Sequence, residues 1–231
     1  MTTIALNLQA VLERIERAAL ESGRSPSEIM LLAVSKRVPA SYLEEARRAG
    51  LTAFGESYVQ EAVTKITALG SIGLEWHFIG PIQSNKTRAI AEHFQWVHAI
   101  DREKVAARLS QARPPHLPPL NVCIQVNVSG EESKSGVSPG GESALAEAIS
   151  ALPRLRLRGL MAIPEPTGDV GLQRGRYARL RELRDDLCRA GYPLDTLSMG
   201  MSGDLEAAIA EGATIVRVGT ALFGERERMA P

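Results

Sequence analysis

Three things are scarce in this sequence, and each scarcity narrows what the chain can be. It has no excess of either charge: Lys and Arg number 27, and so do Asp and Glu. A chain built to grip nucleic acid or an anionic membrane carries a basic surplus, so neither partner is expected. No apolar run is long enough to cross a bilayer, and the longer ones are broken by Arg, Gly or Pro. Only two cysteines occur in 231 residues, Cys123 on a predicted strand and Cys188 in a predicted helix. That argues against a structural disulfide or a thiolate metal site and suits a reducing cytoplasm, the expected location. His93, His98 and His116 show no metal-ligand spacing either. The opening "MTTIALNLQAVLERIERAALESGR" is expected to be an amphipathic first helix rather than a targeting segment, since Glu13, Glu16 and Glu21 sit among its basic residues. Its apolar positions Ile4, Leu8, Val11, Leu12, Ile15 and Ala19 fall on one face of a helix.

What the chain does have is alternation. Eight short apolar runs have strand character: "MLLAVSK" (30–36), "TAFGE" (52–56), "EWHFIG" (75–80), "WVHAI" (96–100), "NVCIQVNVS" (121–129), "LRGLMAI" (157–163), "TLSMGMS" (196–202) and "TIVRVGTALFG" (214–224). Helical stretches lie between them at 40–49, 57–69, 85–93, 102–112, 141–151, 172–190 and 203–210. Gly50, Gly70, Gly191 and Gly212 stand where helix C-caps belong. Such alternation predicts parallel strands joined by crossover helices. Eight strands in a chain of this size predict a closed (β/α)8 barrel of the TIM type rather than an open sheet. No compositional break marks a linker. Residues 1–231 are therefore expected to form one domain with an extra N-terminal helix.

Active sites of such barrels lie at the C-terminal ends of the strands, and Lys36 stands at that end of the first strand. Leu32, Val34 and Lys36 share one face of that strand, while Leu31, Ala33 and Ser35 share the other. If the first face is the interior, desolvation favours a neutral amine that can attack a carbonyl, the chemistry of a Schiff-base lysine. If it is not, Lys36 flares into solvent at the rim. The stretch alone leaves both readings open, with the rim lysine the simpler.

The last two predicted strands shift that balance. "SMGMSGDLEAAIAEGA" passes Gly200, Ser202 and Gly203 into a helix that Ser202 or Asp204 could cap. "RVGTALFGE" places Gly219 and Thr220 in the final apolar run. Glycine-lined turns after strands seven and eight are where many barrels hold a phosphate. Either segment alone reads as a simple turn; both together favour a phosphate site. Arg217 shares parity with Ile215 and Gly219, so it faces the glycine's side. It answers either a ligand or a salt bridge to a neighbouring strand. A lysine, a phosphate site and an inward arginine suit pyridoxal 5′-phosphate (PLP). The aldehyde would meet Lys36, the phosphate Ser202, Gly219 and Thr220, and the ring nitrogen Arg217. An arginine at that nitrogen can only donate and so disfavours ring protonation, unlike an aspartate.

"LLAVSK", "FGESYVQEAVTKI", "EWHFIGPIQSNK", "PRLRLRGLMAI" and "LSMGMSGDLEAAIAEGATIVRVGTALFG" closely resemble the pyridoxal phosphate homeostasis proteins over nearly the whole chain. The resemblance implies a barrel like the N-terminal domain of alanine racemase, with PLP held as an aldimine on Lys36. It implies phosphate contacts near Ser202, Gly219 and Thr220, Arg217 at the ring nitrogen, and Met161 and His77 lining the pocket. Histidine between Trp76 and Phe78 also reads as a satisfied core residue. Asn85 and Lys86 fall near the mouth. Where the family usually reads "FGENYVQE", this chain has Ser57, which keeps a hydroxyl but loses the amide's reach and donors.

The expected function is intracellular PLP homeostasis: buffering, delivering or sensing the cofactor, without robust catalysis. A racemase needs a second acid/base group across the cofactor, which alanine racemases take from a C-terminal β-domain. That domain is expected to be absent here, and of Tyr42, Tyr58, Tyr177 and Tyr192 only Tyr58 lies near a strand's C-terminal end. The alternatives are a weak PLP-dependent racemase or lyase and a cofactor-free Schiff-base aldolase. Expected partners are PLP and PLP-requiring apoenzymes, and the expected state is a monomer or weak dimer.

Overall fold

The computed structural model describes residues 2–70, 73–131 and 135–224, and within them strands and helices alternate as the sequence predicts. The strands are β1 (Met30–Val34), β2 (Ala53–Glu56), β3 (Glu75–Phe78), β4 (Trp96–Ile100), β5 (Leu120–Gln125), β6 (Leu155–Met161), β7 (Thr196–Ser198) and β8 (Ile215–Val218). The helices are α1 (Thr3–Glu21), α2 (Ala40–Arg48), α3 (Val59–Leu69), α4 (Thr87–His93), α5 (Glu103–Ala112), α6 (Glu142–Ser150), α7 (Val170–Arg189), α8 (Leu205–Ala210) and α9 (Thr220–Phe223). The eight strands pair in chain order, all parallel, and β8 closes on β1. Parallel neighbours need a crossover, and α2 to α8 supply one each.

The register settles which side of β1 faces inward. Leu32 pairs with Arg217, Val34 with Gly55, Gly55 with His77, and His77 with Trp96. Residues in register project to the same side of a sheet. Leu32, Val34, Ala53, Ile79 and Ile215 form a buried apolar cluster of their own, the fill of the barrel. Leu31 and Ala33 belong instead to the larger core between strands and helices. Lys36 continues the parity of Leu32 and Val34, so it stands above the interior.

Helix α1 lies across α8 and α9 and buries Ile4, Leu8, Val11, Ile15, Ala18 and Ala19. Leu12, expected on that stripe, is 47% exposed. At 100° per residue it rotates past the edge of the contact. Gly50, Gly70, Gly191 and Gly212 do close their helices, each with positive φ.

Six of the strands are shorter than the apolar runs that suggested them, and three of these stop well short. β5 ends at Gln125, β7 at Ser198 and β8 at Val218. The run 214–224 changes at Gly219, beyond which Thr220–Phe223 is helical. After β7 the chain turns through Gly200, with φ of 90° and room for no side chain, since a Cβ there would lie 2.5 Å from the Cβ of Ala208. Both departures bend the backbone over the barrel mouth.

Candidate functional site

A cavity of ≈ 310 Å³ opens at the C-terminal ends of the strands. Val34 and Lys36 line it from β1 and the turn that follows, Ser57 from the turn after β2, and Ile79 from the end of β3. Ile163 follows β6; Met201, Ser202 and Gly203 follow β7; Arg217, Gly219 and Thr220 come from β8 and its continuation. The volume is at the small end of ligand sites, roughly 300–1,000 Å³.

The turn that carries Lys36 is held from both sides. Arg37 has φ of 60°, the only positive φ at a non-glycine position among the described residues. Such backbone costs about 1–3 kcal/mol and persists only where its surroundings enforce it. Here the buried ammonium of Lys65, on α3, donates to the carbonyl of Ser35 at 2.7 Å. It also donates to Glu56 Oε1 at 2.7 Å and to Glu61 Oε1 at 2.6 Å. Ser35 Oγ donates to that same Glu56 oxygen at 2.7 Å, and the Arg37 N–H donates to Glu61 Oε1 at 2.5 Å. Residues 35 and 37 are thus tied to one lysine–carboxylate cluster, with Lys36 between them. Burial pushes the Glu56 carboxyl up, against the opposing pull of Lys65 and Ser35. Its second oxygen is buried and has no partner among the described residues.

The loop after β7 is braced as firmly. Asp204 precedes α8 as its cap residue but makes no side-chain bond to the helix. Its Oδ1 accepts from the Met201 N–H at 2.6 Å, and its Oδ2 accepts from Tyr177 Oη at 2.7 Å. The expected cap is therefore a loop pin. Burial, then the Asp204 carboxylate, push the Tyr177 hydroxyl up, which keeps it a donor. From α1, Arg14 Nη2 donates to the Ser202 carbonyl at 3.0 Å while the guanidinium grips both oxygens of Glu206.

Arg217 forms part of the cavity wall and is otherwise buried. Nη1 donates to the Ser198 carbonyl at 2.6 Å and to Ser198 Oγ at 2.8 Å, and Nη2 donates to the Ala162 carbonyl at 2.8 Å. None of these acceptors is a carboxylate, so the expected salt bridge to a neighbouring strand is not what holds it. Among the described residues, Nε has no acceptor.

Comparison with known proteins gives this geometry its context. The family described as alanine racemase, N-terminal domain, matches residues 6–227. A pyridoxal phosphate homeostasis protein of Pseudomonas aeruginosa is 63% identical over 231 residues, covering 100% of this chain and 99% of its own. The protein of that name in Escherichia coli K12 is 55% identical, covering 98% of each chain. The chain belongs to the pyridoxal phosphate homeostasis protein family. Among solved structures, PipY of Synechococcus elongatus with PLP bound superposes with a TM-score of 0.82 at 36% identity, covering 96% of this chain and 100% of that one.

Of the site residues expected in this homeostasis-family protein, Lys36, Ser202, Arg217, Gly219 and Thr220 line the one cavity. Met161 and His77 correct the expectation: both are buried in the barrel and neither is among the cavity's lining residues. Their parity is right and their depth is not. Ile163 and Ile79, two residues further along and just past the ends of β6 and β3, reach the cavity instead, a step of about 6–7 Å. Ser57 does line it, held close under Gly80, where a Cβ would lie 2.5 Å from the Ser57 carbonyl oxygen. Tyr58 is 46% exposed with the Arg37 guanidinium 5.6 Å from its ring centre, and Asn85 and Lys86 lie in the turn before α4. Sequence reasoning missed the Lys65 cluster, although Lys65 falls on the buried stripe of α3 with Val59, Ala62 and Leu69. A lysine on an apolar stripe is the signal that could have found it.

Proposed function

We propose that this protein binds PLP in the cavity at the barrel mouth and serves PLP homeostasis by holding the cofactor on Lys36 and releasing it. The supporting observation is the convergence of Lys36, Arg217 and the Ser202–Gly203 and Gly219–Thr220 backbone on one small cavity. The residues fit the group. Among the described residues, no hydrogen bond is made by the N–H groups of Ser202, Gly203 or Thr220. Three such donors and two hydroxyls suit a phosphate. Arg217 is fixed through Nη1 and Nη2, which leaves Nε–H to face a ring nitrogen. Arginine remains charged and can only donate, so it suits an unprotonated pyridine.

Bound PLP supplies an aldehyde that condenses reversibly with an amine, releasing water. Lys36 is the amine on this reading, and the Lys65 cluster fixes the backbone on either side of it. Val34, Ile79 and Ile163 form the apolar wall; the two loops clamp the anionic end. Catalysis of racemisation also requires an acid/base group on the opposite face. Tyr58, the residue considered for that part, is turned toward Arg37 at the rim. Holding and release are therefore the function we assign, in the cytoplasm, with PLP-requiring apoenzymes as recipients.

Two assays decide it. PLP-loaded protein mixed with a cofactor-free PLP enzyme should restore that enzyme's activity at the rate at which PLP leaves. Incubation with amino acids in D2O should give no α-deuterium incorporation above free PLP. Rapid enzymatic exchange would make the racemase or lyase reading correct.

A further inference from the structure

Arg217 is the near end of a chain of hydrogen bonds that runs through the barrel to its other face. Ser198 Oγ lies 2.8 Å from Arg217 Nη1 and 2.7 Å from His98 Nδ1. His98 Nε2 lies 2.9 Å from His77 Nδ1, and His77 Nε2 lies 2.8 Å from Glu75 Oε1. Ser198, His98 and His77 are fully buried, and the Glu75 side chain is 41% exposed at the N-terminal end of β3. There it borders a second depression, shared with Met30 and Thr52.

The direction of every bond follows from its two ends. Arginine can only donate, so Ser198 Oγ accepts from it and its own hydrogen goes to His98 Nδ1. A neutral His98 then carries its proton on Nε2 and gives it to His77 Nδ1. A neutral His77 carries its proton on Nε2 and gives it to Glu75. Starting from the other end, an ionised Glu75 can only accept, and the same tautomers follow in reverse. The surroundings agree with neutral rings between charged ends. Burial pulls the His77 and His98 pKa values down, with His77 and Arg217 adding to the effect at His98. The bond from His77 lowers that of Glu75. Other neighbours are the Trp96 ring, stacked on His77 at 5.4 Å, and Arg158, whose guanidinium carbon lies 4.8 Å from the Trp96 ring centre; at the far end Tyr177 and Asp204 favour the charged form of Arg217. Cys123, with its thiol pushed up to about 12 by burial, stays uncharged.

We propose that Ser198, His98, His77 and Glu75 are positioning residues that form a one-way relay, fixing the orientation of Arg217 from the opposite face of the barrel. Among the described residues no carboxylate bonds Arg217, and the aligned bonds tie its Nη1 to Glu75 through the core. The role of Arg217 toward the ring nitrogen rests on the PLP reading above; the relay itself does not.

The test has two arms. In the first, the full chain without cofactor is labelled with 15N-histidine, and the His93→Gln and His116→Gln variants assign the two surface rings. Long-range 1H–15N spectra should then show His77 and His98 as neutral Nε2–H tautomers from pH 5.5 to 8.5. An Nδ1–H tautomer, or an imidazolium near pH 6, overturns the relay whatever the protein binds. In the second arm, PLP-loaded Ser198→Ala and Glu75→Leu should both release PLP at least about fivefold faster and shift the pH profile of the bound cofactor's absorption. Ser198→Thr and Glu75→Gln, which keep the hydroxyl and the acceptor, should restore both. If Glu75→Leu folds and titrates like the parent, the relay does not reach the cavity and the proposal fails. If the parent protein binds no PLP, the site reading fails while the first arm still decides the relay.

Discussion

Lys65→Met removes one ammonium from a place where three oxygens depend on it. Lys65 Nζ lies 2.7, 2.7 and 2.6 Å from the Ser35 carbonyl, Glu56 Oε1 and Glu61 Oε1. Methionine fills the space but leaves Glu56, fully buried, with Ser35 Oγ as its one remaining donor among the described residues. Breaking a buried pair from one side costs about 3–5 kcal/mol, because the other charge stays behind. That is a large part of a typical folding free energy of about 5–15 kcal/mol. The pH dependence carries the specific signature. The Glu56 carboxyl is already raised by burial and loses the opposing attraction of Lys65 in the variant. A carboxyl with a raised folded pKa favours the fold below its unfolded value and loses that contribution as pH rises through the folded value. The deficit of Lys65→Met should therefore be largest near pH 8 and shrink toward pH 5, as Glu56 takes up a proton. Urea unfolding followed by tryptophan fluorescence at several pH values measures it. The freed Ser35–Arg37 turn should also weaken PLP binding. A deficit under about 1 kcal/mol, or one that does not change with pH, would refute the view that this cluster enforces the Lys36 turn.

Three further outcomes are expected. His77 and His98 are held neutral by burial, with folded pKa values below the unfolded 6.5. The unfolded chain therefore binds more protons just below that value, and stability should fall with acid by up to about 1.4 kcal/mol per pH unit for each ring; a flat urea midpoint between pH 7 and pH 5 contradicts this. Arg14→Ala releases the Ser202 carbonyl from α1 and breaks a partly exposed ion pair. Stability should change by less than about 1 kcal/mol while PLP dissociates several-fold faster, and an unchanged release rate would show that the loop needs no brace. Ser57→Asn extends an amide into the cavity, and one added hydrogen bond of about 1 kcal/mol should slow PLP release about fivefold; equal or faster release in the transfer assay contradicts it.

Much of the barrel was legible because its signals are periodic. Alternating strands and helices gave eight of the former in order, and glycines marked the ends of helices at Gly50, Gly70, Gly191 and Gly212. That Lys36, Ser202, Arg217, Gly219 and Thr220 gather around one cavity was legible from parity and from their place at strand ends. Depth within the barrel was not, since parity repeats every two residues and cannot separate His77 from Ile79 or Met161 from Ile163. The run 214–224 read as one strand because apolar composition does not show where Gly219 bends it. Asp204 read as a cap because its partners, Tyr177 and Met201, meet it only in the folded loop. The relay from Glu75 to Arg217 joins residues of β3, β4, β7 and β8, and no local pattern announces such a contact.

The central claim is that Lys36 is the covalent seat of PLP, and one measurement addresses it directly. Purified protein is loaded with PLP, its visible absorption recorded before and after borohydride, and its peptides mapped by mass spectrometry. A band abolished by reduction, with the pyridoxyl adduct on Lys36 and none formed in Lys36→Ala, is the expected result. An adduct on Lys65, on Lys86 or on no lysine at all would contradict it, and Lys36 would then be a rim lysine.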